Sequence, residues 1–222
     1  MKKLLLYILL PTLAFCDLAA QAQDKLSEGK VVFEISYPDV ELDQQTMAML
    51  PDESTFYFKH EKSRVEIKMA MGSTVVISDA KTETSTTLMD YMGNKMAINM
   101  TKEDVEKEKK SKTPPTVKMT NETKKIAGYL CTKALIIPED TTENSPYEVW
   151  FTKEIEGKNS FRSSIEGIDG FLMEFKTRQN NLTMKMTCRS VESQKVDDAL
   201  FVIPTGYKPV TMEDLKNMRG GR

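Results

Sequence analysis

Apolar residues recur at every second position over most of this chain. Val31, Phe33, Ile35 and Tyr37 share one side, with Glu34 and Ser36 opposite. Phe56 and Phe58 alternate with Tyr57 and Lys59, and Val65, Ile67, Met69 and Met71 alternate with Arg64, Glu66 and Lys68. Successive side chains of a strand point to opposite faces, so this period belongs to half-buried β-strands. The same pattern predicts strands at 74–78, 85–91, 95–100, 116–119, 125–137, 147–152, 171–179 and 182–191. Asn180-Asn181 supplies the positive φ angles of a tight turn between the last two.

Alternation with one polar side implies an antiparallel sheet with one wet face. A parallel α/β fold is excluded, because no helical segments separate the strands. Helices are few. One is predicted at 43–50, stopped by Pro51, and another at 102–111, capped by Thr101 with Glu103 and Asp104 in its first turn. Val105 is the one apolar residue of the second helix, which is therefore solvated. A third is predicted at 212–218, before a frayed Gly220-Gly221-Arg222 end. The expected fold class is mainly β: a single curved antiparallel sheet forming an open, incomplete β-barrel with a few short helices. A charged insert near 101–115 ends in an extended Pro-Pro connection.

The N-terminus reads MKKLLLYILLPTLAFCDLAAQAQDK. Two lysines, an apolar run and the small-x-small site Ala20-Gln21-Ala22 make residues 1–22 a signal peptide. The expectation is export to the periplasm or cell envelope, or secretion. A lipid anchor at Cys16 is the disfavoured alternative, because Phe15 stands where a lipoprotein signal places a small residue. No other run approaches the ~18 apolar residues of a membrane-spanning helix. Residues 23–222 fit one β domain. The net charge of −2 gives no reason to expect a nucleic-acid partner. Cys131 and Cys188 are either a disulfide, as an exporting compartment permits, or two buried thiols.

Four phrases stand in order along the second half: IAGYLCTKA (126–134), YEVWFTKEI (147–155), GIDGFLMEF (167–175) and LFVIPTGYK (200–208). Read locally, Gly128 bends a long strand, Pro204 ends another, and Gly206 turns the chain so that Tyr207 packs back. With GKVVFEISYP and TFYFKHEKSRVEI, the series over 29–208 resembles a family of exported bacterial domains of unknown function. Those domains are similar in fold to the periplasmic lipoprotein carriers LolA and LolB. The resemblance implies a LolA-like open barrel with a concave apolar face plugged by helices or loops, and no transferable activity.

Catalytic patterns are missing. His60 is the single histidine and lies in a run of charges. The chain has no G-x-S-x-G, no zinc-ligand spacing, no P-loop and no dinucleotide fingerprint. We expect no enzyme, no cofactor and no metal site. Methionine is the compositional oddity, at 15 residues. Thioethers fill irregular cores, or line adaptable cavities for groups such as acyl chains. They also bind copper(I), and M-x-M recurs at 47/49, 69/71 and 184/186. Positions i and i+2 of a strand stand about 7 Å apart, which is wide for chelation.

The apolar sides of the alternating strands nominate Val65, Ile67, Met69, Met71, Met96, Ile98, Met173, Phe175, Met184 and Met186 as one concave ligand face. The functional expectation is an exported, non-catalytic binding protein of the cell envelope that holds a lipid or a lipid-modified protein. A structural or interaction module with a self-filled core is the alternative, and a methionine-based metal binder is a third. The interior of the sheet separates the first two: an empty apolar cavity favours binding, a filled one the module.

Overall fold

The structure is a computed structural model. It describes residues 25–111, 113–139, 145–156, 165–179, 182–211 and residue 214. The strands are β1 (Glu28–Ser36), β2 (Glu53–Lys59), β3 (Lys62–Met69), β4 (Gly72–Asp79), β5 (Thr84–Tyr91), β6 (Asn94–Met100), β7 (Thr116–Ile126), β8 (Tyr129–Ile137), β9 (Tyr147–Thr152), β10 (Phe171–Gln179), β11 (Leu182–Ser193) and β12 (Lys208–Val210). All twelve join one curved sheet that does not close into a barrel, in the order β12-β6-β5-β4-β3-β2-β1-β11-β10-β9-β8-β7.

That order describes two meanders stitched together. The chain runs outward through β1 to β6. Helix α2 (Lys102–Lys110) and an extended stretch then lead to β7 at the far edge, and the chain returns to β11, which pairs with β1. Thr101 and Asp104 cap α2 reciprocally, as the sequence predicts. The predicted 43–50 helix shortens to α1 (Gln44–Met47), capped by Asp43. Every ladder is antiparallel except β12 with β6.

Local chemistry corrects several expectations. The strand predicted over 125–137 is a hairpin. Ile126 faces Tyr129 across Ala127-Gly128, whose φ angles of 49° and 89° make a primed two-residue turn. Gly128 therefore reverses the chain instead of bending a strand. Bending falls to irregularities in register at Val32/Phe33, Met119/Thr123 and Leu172/Glu174. The stretch before Pro204 is a 3-10 turn, Asp198–Phe201, not a strand end. The signal segment, the Asn180-Asn181 turn and most of the 212–218 helix lie outside the described residues. Asp214 itself is helical and shares a capping box with Thr211.

The main core fills the inner face of β1–β3 and β7–β11. Phe171 sits at its centre, 6.2 Å from the Phe33 ring, 5.2 Å from Phe56 and 6.2 Å from Phe58. Phe33 also meets Phe175 edge-on at 5.8 Å. Each such fully buried ring contributes roughly 1.5–3 kcal/mol of transfer free energy. A second, smaller core lies on the opposite face of β4–β6. Val75, Ile77, Leu88 and Ala97 are covered there by Phe201 and Tyr207. The expectation of one wet face thus fails where the C-terminal chain folds back. Arg64 fixes that return: its Nη1 donates to the Leu200 carbonyl at 2.9 Å while its Nε pairs with Glu66 at 2.6 Å.

Candidate functional site

The ten residues nominated as one ligand face divide into groups. Val65, Met173, Phe175, Met184 and Met186 are 0–6 % exposed and packed among the phenylalanines of the main core. That part of the inner face is filled by the protein's own side chains. Ile98 is also buried, in register with Val210, itself buried. The single continuous concave site expected from alternation is therefore corrected to a covered half and an open half.

The open half lies on the same face, over β3–β6. The ladder places Ile67, Thr74, Met89 and Met96 in one cross-strand row. Ile67, Met89 and Met96 are half-buried, and Met69, two residues beyond Ile67 on its face, is 39 % exposed. Met89 was missed in the sequence because its strand reads T-S-T-T-L-M-D-Y, where threonines blur the apolar period.

Met71 is not on a strand. It belongs to the turn between β3 and β4, beside the turn between β5 and β6, which is built on Met92-Gly93. Tyr91 donates its hydroxyl to Met71 Sδ at 3.6 Å. Met71, Tyr91 and Met92 are all exposed. The sequence signal was Met92-Gly93, where hairpin turns favour Asn-Gly or Asp-Gly; the loop Ala70-Met71, between Met69 and Gly72, carries no such signal.

Residues 40–207 match the family described as a domain of unknown function, DUF4412. The chain belongs to this family. No curated protein matches it. Among solved structures, the DUF4412 chain is similar to PNGF-II in two crystal forms. In the C2 form the identity is 16 % and the TM-score 0.53, covering 86 % of this chain and 32 % of that one. In the P21 form the identity is 17 % and the TM-score 0.53, covering 88 % and 34 %. The chain thus spans about a third of the length of those structures, and the likeness is one of fold alone. Both are PNGF-II structures, not lipoprotein carriers, so the LolA-like likeness gains no support from them.

In this DUF4412 domain the thiols of Cys131 and Cys188 are free and buried in the main core. Their strands, β8 and β11, are not neighbours, since β9 and β10 lie between them. Burial pushes the Cys131 thiol up to about 11 and Cys188 to about 12. Thiols so held are inert.

A polar cleft of about 450 Å³ opens where the start of β1 meets the ends of β9 and β11, lined by Lys25, Glu28, Tyr129, Glu154, Gln194 and Lys195. Its carboxylates already serve the backbone. Glu154 accepts the Leu130 N–H at 2.9 Å, and Glu28 accepts the Val196 N–H at 2.6 Å. Burial, then the Glu154 charge, raises the Tyr129 phenol above its ordinary range. His60 lies on the surface, 3.7 Å from Glu156. Among the described residues, no three His, Cys, Asp or Glu side chains converge as metal ligands. The M-x-M pairs are scattered: Met47, which ends α1, and Met49, just after it, are exposed, Met69 and Met71 lie on a strand and in a turn, and Met184 and Met186 are in the core. Among the described residues, no helix is long and apolar enough to cross a membrane.

Proposed function

We propose that this DUF4412 chain is an exported, non-catalytic binding module of the cell envelope. The covered half of its sheet is scaffold. The open row Ile67–Met89–Met96, with Met69, is the surface that seats an apolar group. One observation carries this reading: a single sheet face is sealed by phenylalanines at one end and left half-exposed, and rich in methionine, at the other. Flexible thioethers conform to groups of variable shape. An acyl chain of a lipid or of a lipid-modified protein fits this chemistry, each buried methylene contributing about 0.8 kcal/mol. The filled interior supports a chain lying on a shelf and argues against the engulfing cavity of a carrier.

The filled core also favours a second reading, an interaction module that holds no ligand of its own. The test is lipid analysis of the protein purified from its native envelope, beside a Met96→Asp variant. Lipid bound to the wild type and lost from a folded variant supports the shelf. A wild type free of lipid leaves the interaction module. Export has its own test, N-terminal sequencing of the envelope fraction. A mature chain starting at Gln23 is expected, and a lipid-modified Cys16 at the terminus would overturn that cleavage.

A further inference from the structure

The β3–β4 and β5–β6 hairpins end side by side, and their shared tip is apolar. Met69, Met71, Tyr91 and Met92 are 39 %, 38 %, 51 % and 70 % exposed. The tips are joined by the Met92 N–H to Met71 carbonyl bond at 3.1 Å and by the Tyr91 hydroxyl on Met71 sulfur. Soluble surfaces scatter large apolar side chains singly, so four at two adjoining hairpin ends is a feature that asks for a partner.

The next cross-strand row inward is Lys68–Ser73–Asp90–Lys95. It carries two ammonium groups and one carboxylate. Asp90 is engaged by the Gly93 N–H at 3.1 Å and by Lys95 at 3.9 Å. Lys95 also lies 5.7 Å from the Tyr207 ring. Lys68 is exposed. The tip is therefore an apolar cap that includes an amphipathic tyrosine, with two lysines one row inward on the opposite face of the sheet. Tyrosine favours the level of lipid headgroups, methionine the acyl boundary, and lysine the phosphates. The cap is carried on chain reversals instead of lining a groove, which suits entry into a fluid interface better than enclosure of a small ligand.

We propose that the paired hairpin tips dip into the surface of an anionic lipid bilayer and orient the domain on it. The inference rests on the turns and does not depend on what the methionine shelf holds. The test is co-sedimentation of the purified protein with vesicles of phosphatidylethanolamine and phosphatidylglycerol, beside vesicles of phosphatidylcholine alone. Wild type should pellet with the anionic vesicles and release as salt rises. Met71→Asp/Met92→Asp should lower the partition at least about tenfold with its thermal melt unchanged, and Met71→Ser/Met92→Ser replaces it if the aspartates unfold the tip. Lys68→Gln should flatten the salt dependence. Lipid carried by the purified protein before vesicles are added should be the same for wild type and the tip variants, which separates failure of the tip from failure of the shelf. A wild type that stays in the supernatant, or a folded tip variant that pellets undiminished, overturns the proposal. Capture of a protein instead of lipid by the tip would overturn it as well.

Discussion

The backbone N–H of Met92 reaches the carbonyl oxygen of Met71 at 3.1 Å, so two separate hairpins share one end. Gly72 and Gly93 make the arrangement fit, for different reasons. A Cβ on Gly72 would sit 1.9 Å from the Asp90 carbonyl oxygen, a backbone atom of the neighbouring strand. Gly93 has open space around it but a φ of +83°.

Gly72→Ala should therefore spread the β4–β5 ladder and cost about 1–3 kcal/mol or more. Gly93→Ala meets only backbone strain, about 1–2 kcal/mol. Urea unfolding followed by Trp150 fluorescence measures both. Equal losses would show that the ladder end yields without resistance.

Aspartate substitutions should map the boundary between covered and open halves. Met173→Asp places a carboxylate where the side chain is 0 % exposed and should unfold the domain. Met69→Asp, at 39 % exposure, should change stability by about 1 kcal/mol or less. Circular dichroism melts decide it, and comparable losses would place Met69 inside the core.

The thiols predict both reactivity and alkaline behaviour. Cys131, pushed up to about 11 by burial, carries about a hundredfold less thiolate near neutral pH than a free cysteine. Cys188, at about 12, carries less still. Maleimide should label neither at an appreciable rate until the protein unfolds. Because both folded values are raised, the folded state keeps its protons longer than the unfolded one. Their contribution to stability is intact below pH 9 and falls as pH rises from about 9 toward 12. Cys131→Ala/Cys188→Ala should be less sensitive over that range. Rapid native labelling, or a mass showing a disulfide, would contradict this account.

Arg64→Ala should release the 3-10 turn at 198–201. Losing charged hydrogen bonds to Leu200 and Glu66 costs about 1.5–3 kcal/mol. The visible result is proteolytic cutting near 195–205, with the main core intact. A variant as resistant as wild type would show that Phe201 and Tyr207 hold the segment by packing alone.

The strands were legible because alternation is a direct consequence of burying one face. The predicted 147–152 and 171–179 strands coincide with β9 and β10. The misreading at 125–137 arose because Ala127-Gly128 sits between two runs that are both good strand sequence, and the pattern does not mark a reversal. The second core was hidden for a related reason. Val75 and Ile77 face one way and Val76 the other, so β4 reads as a continuous apolar run. The candidate site was legible residue by residue but not as a whole. Alternation says which side of its own strand Met96 or Met173 occupies, and only the strand order says that phenylalanines cover one and not the other.

The seam between the two meanders also orders events in time. β1 pairs with β2 nearby in the chain, but its other edge waits for β11, and the Gly29–Ser193 pairing closes nearly the whole described chain into one loop. Local hairpins close far faster than such distant contacts. The β1–β6 and β7–β11 meanders should thus each form before the seam does, leaving one edge of β1 bare, with Val31, Phe33 and Ile35 uncovered, until β11 docks. A chaperone that shields an apolar strand edge would find its target there, and pulse-labelled hydrogen exchange should show β3–β5 amides protected before the β11 amides that point toward β1.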